Sequence, residues 1–238
     1  MSESIHTVTH AIIMAAGTGT RLQPVTLSTP KPLVKVNGNR MIETIIQGLR
    51  LHGITTIYVV VGYLKEQFGF LEKNYPGLSL IENPYYDRCN NISSLFVARE
   101  HIGGSIILDG DQIIQNSNAL EPRFIRSGYN CVWRDEPTDE WVLEVTDSIV
   151  TGCSRVGASG GWQLYSVSRW TKSDGLRLKR HVEIEFIEKK NTTIFWDDIA
   201  LFRYPDEYRL GIKAMEADDV IEVDTLEELI KLDPSYKG

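Results

Sequence analysis

The sequence predicts a three-layer α/β domain on a mixed central sheet, with an antiparallel insertion in its second half. Three observations lead there. Short apolar runs alternate with amphipathic stretches between residues 11 and 111, as parallel strands alternate with crossover helices. Beyond residue 128, aromatic and β-branched residues crowd into longer runs, as in antiparallel strands. No repeat, low-complexity tract or linker divides the 238 residues.

The elements follow in order. "MSESIHTVTH" has neither a basic start nor an apolar stretch, so residues 1–10 read as a flexible leader and 11–238 as one domain. "AIIMAA" is an apolar run that ends at Gly17, as a buried parallel strand does. Met41, Ile42, Ile45, Ile46 and Leu49 fall at helical spacing, and Gly53 is placed to stop that helix. "TIYVVVG" is a second strand, "LKEQFGFLEKN" a helix, and "LSLIEN" a strand ended by Asn83-Pro84. Asn91 is placed to cap a helix through Val97 to Ile102, and "SIILDGD" is a buried strand that ends in acid. "YNCVWR", "EWVLEV" and "GWQLYSVSRW" supply the antiparallel insertion. Ser173 to Lys190 reads as one long helix, "DVIEVD" as a late strand and "TLEELIKL" as a closing helix.

Composition narrows the function. Twenty-five basic residues against 32 acidic ones give a net charge of −7, which disfavours a nucleic-acid partner. No apolar run reaches the roughly 18 residues of a membrane span. Cys89, Cys131 and Cys153 are odd in number and fit no zinc or redox spacing, so free thiols in a reducing cytoplasm are expected. The five histidines form no metal-ligand or catalytic arrangement.

The chemistry concentrates in "AIIMAAGTGTRLQPVTLSTPKPL", residues 11–33. A glycine-rich turn after a strand can present backbone N–H groups to a phosphate. Gly17 and Gly19 are followed by Leu22 where a dinucleotide fingerprint needs a third glycine, and the G-x-x-x-x-G-K-[ST] loop is absent. Arg21 and Lys31 add two cations, with Pro24, Pro30 and Pro32 stiffening the connection. On composition alone, a tight turn with surface cations competes with a phosphate cradle.

The pattern G-x-G-T-R-L-x-P-x-T-x-x-x-P-K-P-L resembles the signature of nucleotidyltransferases that join an NTP to a phosphorylated small molecule, matched from Gly17 through Lys31. "VGYLKEQF", "NNISSL", "DEW", "FWDD" and "IEVDTLEEL" occur in the same order in bacterial CTP:phosphocholine cytidylyltransferases, over about Ala11 to Leu232. CTP:2-aminoethylphosphonate cytidylyltransferases look much the same. The resemblance implies the Rossmann-like nucleotidyltransferase fold and a nucleotide-binding loop of Ala15, Ala16, Gly17, Thr18, Gly19 and Thr20 that wraps the triphosphate, with Ala15 and Gly17 backbone groups closing over the base. Arg21 and Lys31 would neutralise its charge.

By the same resemblance, Asp111 and Asp224 match the two Mg²⁺-binding aspartates, and Arg21, Lys31 and Asp111 form the catalytic set. A helix cap is the competing reading of Asp224, and Asp109 is read as support for the loop. Asn91 and Ser94 match the segment that reads cytosine, with a helix cap as the alternative for Asn91. Trp141, Trp196 and Asp197 match the choline-pocket segments, against the ordinary reading of a tryptophan as core. Arg134 is a candidate partner for the substrate phosphate. The expected partners are CTP and a small zwitterionic phospho- or phosphono-amine, with no nucleic acid and no membrane span; the sequence leaves room for an oligomer. Sugar-phosphate enzymes with the same loop carry an E-K-P lysine, and this chain has "EKK" at Glu188 instead. Three alternatives to phosphocholine stand: 2-aminoethylphosphonate or phosphoethanolamine as acceptor, a sugar phosphate, or a nucleotide-binding module without catalysis.

Overall fold

The computed structural model describes residues 4–237. In chain order the strands of the first half are β1 (His6–Thr7), β2 (His10–Ala15), β3 (Lys35–Val36), β4 (Asn39–Arg40), β5 (Ile57–Val61), β6 (Leu78–Glu82), β7 (Ser105–Asp109) and β8 (Gln112–Ile114). The second half adds β9 (Arg123–Phe124), β10 (Gly128–Thr138), β11 (Val142–Thr146), β12 (Ile149–Ser154), β13 (Ala158–Arg169), β14 (Gly211–Ala214) and β15 (Val220–Glu222). The α-helices are α1 (Met41–Leu51), α2 (Gly69–Asn74), α3 (Ile92–Val97), α4 (Lys172–Glu183) and α5 (Leu226–Leu232).

Nine strands form the central sheet in the order β10-β14-β12-β11-β13-β7-β2-β5-β6, and β10 also pairs with β13. β7, β2, β5 and β6 are parallel, whereas β13 joins them antiparallel through Val167 opposite Leu108. The sheet is therefore mixed, as expected. Period-2 alternation along β2 divides its side chains between two cores. Ala11, Ile13 and Ala15 face one, with Ile42, Ile45, Ile46 and Leu49 of α1. Ile12 and Met14 face the other, with Ile92 and Leu95 of α3 and Leu178 and Val182 of α4. Helices on both faces make the three layers. No described helix is long and apolar enough to cross a membrane.

Several elements depart from expectation. Of the expected leader, residues 1–3 lie outside the described residues. Residues 6–7 are β1, which pairs with β9, and His10 opens β2, so ordered chain begins before residue 11. Polar composition concealed β1 because a backbone ladder makes no demand on side-chain type. The stretch from Ser173 to Lys190 is α4 followed by a π-helical turn at Ile184–Glu188. Leu64 to Asn74 is a 3₁₀ turn at Lys65–Phe68 leading into α2. The helix expected from Asn91 to Ile102 is α3 followed by a 3₁₀ turn at Arg99–His101.

β15 stands outside the central sheet. It pairs antiparallel with β8 in a two-stranded ribbon, with Glu222 opposite Gln112. That register brings the residues after β15 back beside the residues before β8, which sets the geometry of the site.

Candidate active site

The glycine loop leaves the C-terminal end of β2, where open α/β sheets place their ligands. Gly19 adopts φ 62°, and a Cβ there would lie 2.9 Å from Lys31 Cβ and 3.1 Å from Thr26 Cγ2. Only glycine satisfies both the left-handed backbone and that close approach. Thr26 Oγ1 donates to the Gly19 carbonyl at 2.8 Å and ties the loop to the following turns. Lys31 opens a 3₁₀ turn at Lys31–Leu33 and is buried.

Gly110, between Asp109 and Asp111, donates its N–H to the Met14 carbonyl at 2.8 Å. A Cβ at Gly110 would stand 3.1 Å from Ala15 Cβ and 3.2 Å from Pro32 Cγ, so glycine lets the acidic turn close on the loop. Asp224 arrives through the β8–β15 ribbon. Thr225, not Asp224, caps α5: its side chain accepts from Glu228 N–H in a capping box. The helix-cap reading of Asp224 is thus corrected, and its carboxylate is left for the cleft.

Lys31 Nζ donates to Asp111 Oδ2 at 2.5 Å and to Asp224 Oδ1 at 2.9 Å. Arg21 Nη2 also donates to Asp224 Oδ1, at 2.9 Å. Two carboxylates 113 positions apart in the chain thus converge on one ammonium. Burial pushes the Lys31 ammonium down, but Asp111 and Asp224 beside it more than offset this and hold it above the usual lysine range.

Two clefts meet at this point. The first, about 330 Å³, runs from Ala15, Ala16, Gly17, Gly19, Thr20 and Arg21 past Lys31 to Asn90, Asn91 and Ser94. Thr18 is not in its lining. The second, about 280 Å³, shares Arg21, Asn91, Asp109, Asp111 and Asp224 and extends to Glu140, Trp141, Ser166, Phe195, Asp197 and Glu222. Trp141 and Phe195 meet edge to face at 5.6 Å.

Carboxyl groups crowd the second cleft. Burial and the Asp111 charge push Asp109 up to about 7. Burial pushes Glu222 up to about 8 and raises Glu140. Asp197 is raised well above the usual carboxylate range by burial and by Asp109, against the opposing effect of the neighbouring Tyr129 hydroxyl. A pocket whose acids are raised first by burial and then by one another's charge favours a cation.

Two sequence expectations are corrected. Trp196 is core: it is 2% exposed and packs on Tyr129 and Trp170, with ring centroids 6.1 and 6.0 Å away. Its neighbour Asp197 takes the pocket instead. Arg134 lines an adjoining hollow rather than either cleft, and its guanidinium donates to Gln163 Oε1 at 2.7 Å and Tyr165 Oη at 3.1 Å. Asn91 occupies the cap position of α3 without capping it by its side chain; its Oδ1 accepts from Trp196 N–H at 2.9 Å. Sequence reasoning missed Asn90, Glu222, Ser166 and Phe195. The "NN", "FWDD" and "IEVDTLEEL" motifs already contained Asn90, Phe195 and Glu222, while Ser166 carried no signal beyond strand alternation.

Residues 10–121 match the nucleotidyl transferase family. The 2-aminoethylphosphonate cytidylyltransferase of Lancefieldella rimae is 39% identical over 230 residues, covering 96% of this chain and 93% of the relative. The choline-phosphate cytidylyltransferase of Streptococcus pneumoniae is 33% identical over 228 residues, covering 96% and 98%. The solved CTP:phosphocholine cytidylyltransferase from Streptococcus pneumoniae superposes with a TM-score of 0.87 at 31% identity, covering 97% of this chain and all of that one. With these full-length matches, the chain belongs to the nucleotidyl transferase family, among relatives that are cytidylyltransferases of small phosphorus-bearing amines.

Proposed function

We propose that this chain transfers CMP from CTP to phosphocholine, giving CDP-choline and pyrophosphate. The observation that carries the reading is that two clefts of different chemistry meet at Asp111 and Asp224. One is walled by a glycine loop and two cations, the other by acids and two aromatic rings. The first suits a triphosphate and the second a phosphorylated cation.

The base is read by donors. Asn91 Oδ1 is engaged by Trp196 N–H, which leaves its amide N–H₂ for the cleft. Ser94 Oγ accepts from Asn83 Nδ2 at 3.1 Å, which leaves its hydroxyl proton free to donate. Cytosine offers O2 and N3 as acceptors, whereas uracil carries a proton on N3.

A substrate phosphate oxygen attacks the α-phosphorus in line. The new P–O bond forms as the bond to the β-phosphate oxygen breaks, and pyrophosphate departs. Arg21 and Lys31 neutralise the charge moving onto the leaving group. Asp111 and Asp224 would hold Mg²⁺: they already converge on one cation, and Mg²⁺ takes one or two carboxylates with phosphate oxygens. When bound, the ion supplies charge neutralisation at the reacting phosphates. Trp141 and Phe195 face the cationic head.

A second reading, 2-aminoethylphosphonate as acceptor, is favoured by the acids of the second cleft. Glu140, Asp197 and Glu222 line it, and carboxyl oxygens there offer acceptors to a primary ammonium, which a trimethylated head has no N–H to use. Pyrophosphate release tests both, with each NTP crossed against phosphocholine, phosphoethanolamine, 2-aminoethylphosphonate and glucose 1-phosphate. Release with CTP and phosphocholine above all others is expected. A clear preference for 2-aminoethylphosphonate would establish the second reading, and release only with the sugar phosphate would refute both.

A further inference from the structure

The largest of these hollows, about 500 Å³, is not part of either active-site cleft. It lies at the start of β10, the end opposite Arg134, between β10, β14 and the β11–β12 turn. Gly128 and Gly211 face each other in its floor at one register position. A Cβ on Gly128 would fall 1.9 Å from the Gly211 carbonyl oxygen, so only glycine lets the two strands approach this closely.

Its lining is cationic in an acidic protein. Arg123, Arg126, Arg169 and Lys213 face it, with Asp147 as the one acid in its lining among the described residues. Arg123 is paired with Glu121 at 2.9 Å. Arg169 is 3% exposed and donates only to neutral acceptors: the Glu121 and Ala119 carbonyls and Asn130 Oδ1. Lys213 has no hydrogen-bond or ion-pair partner among the described residues. Burial pushes Arg169 down to about 10, and burial and Arg169 together lower Lys213. Glu121 acts on both Arg169 and Lys213 but is already paired with Arg123, and Asp219 adds only to Lys213, so three cations crowd around one shared carboxylate and leave an excess of positive charge in the hollow.

We propose that this hollow binds a phosphate dianion against Arg169 and Lys213. The excess positive charge calls for an anion, and a phosphate group carries about −1.5 to −2 at pH 7. A cleft of this size admits a small phosphate ester as well as the free ion.

Lysine carbons observed by NMR test this at the site itself. Cε-labelled protein is titrated with inorganic phosphate, glycerol 3-phosphate and, at matched ionic strength, sodium chloride; Lys213→Gln identifies the Lys213 signal. Saturable movement of that signal with phosphate, but not chloride, is the expected result. Movement with phosphate alone makes the ligand the free ion, and movement with both makes it the shared phosphate group. No movement while the Lys31 signal shifts, or equal movement with chloride, overturns the proposal. Melting gives a second readout. Phosphate should raise Tm more in wild type and Lys213→Arg than in Lys213→Gln, and equal rises in all three would also overturn it.

Discussion

Lys31→Met removes one charge and keeps most of the side chain's apolar length. The Lys31 side chain is 8% exposed, and its two carboxylate partners are each 32% exposed. Breaking a fully buried ion pair costs about 3–5 kcal/mol. The carboxylates here are partly hydrated and Arg21 still reaches Asp224, so about 1–3 kcal/mol of stability should be lost. The catalytic loss should be larger in proportion. In the proposed reaction the ammonium sits beside the charge that accumulates on departing pyrophosphate, and removing one such donor costs about 10²–10³ in kcat. KM for CTP should rise much less, because the interaction strengthens in the transition state. Urea unfolding measures the first quantity and steady-state pyrophosphate release the second. A variant with wild-type kcat and only a raised KM would refute the reasoning, since Lys31 would then merely hold CTP.

Four further outcomes are expected. Asp111→Asn and Asp224→Asn should each cut turnover severely while circular dichroism stays native, and EDTA should abolish wild-type activity that added Mg²⁺ restores; full activity in either variant removes that residue from the metal site. Trp141→Ala should lower kcat/KM for phosphocholine by roughly 2- to 30-fold, the worth of a cation over an aromatic face, whereas Asp197→Asn should hurt 2-aminoethylphosphonate more; equal effects on both acceptors would contradict the pocket assignment. Gly19→Ala should cost about 1–2 kcal/mol for the left-handed backbone and should slow turnover by displacing Lys31, a result that Tm and kcat report together. Burial holds His181 below the ordinary histidine value, against Glu207 and Glu185 and alongside Arg177 and Arg180. The folded state therefore prefers neutral imidazole, so its contribution is complete above about pH 6.5 and falls as pH drops below it. Denaturant midpoints measured from pH 7 to 5 should decline less steeply in His181→Gln than in wild type.

The parallel half of the fold was legible because its periodicity was strong. α1 spans Met41–Leu51 as the spacing of Ile42, Ile45, Ile46 and Leu49 requires. β8, β12 and β14 were not seen. β8 and β14 are short, β12 is six residues interrupted by Gly152, and each is recruited by a neighbour's backbone rather than by a pattern of its own. Arg21, Lys31, Asp111 and Asp224 were found through their motifs, and the structure brings all four together. Trp196 was misassigned because "FWDD" does not tell which residue faces inward. That is decided by how the turn meets Asn91, and Asp197 won the pocket. Arg134 was misplaced because a strand as long as β10 carries successive side chains past several hollows. The acid-rich pocket was only partly legible, since Glu222 reaches it through a ribbon register that no local window contains.

That ribbon also fixes when the site comes into being. Lys31 and Asp224 are 193 positions apart, and the pairing of β15 with β8, with Val223 and Leu229 packed on Leu22 and Val34, brings them together. During synthesis the glycine loop, Lys31 and Asp111 leave the ribosome long before Asp224. The parallel core can gather around β2 while the second carboxylate is still untranslated. Closing so long a loop is slow, because its entropy must be lost before any contact rewards it. A nascent chain therefore carries half of a cation site until β15 docks, and competence arrives in one late step.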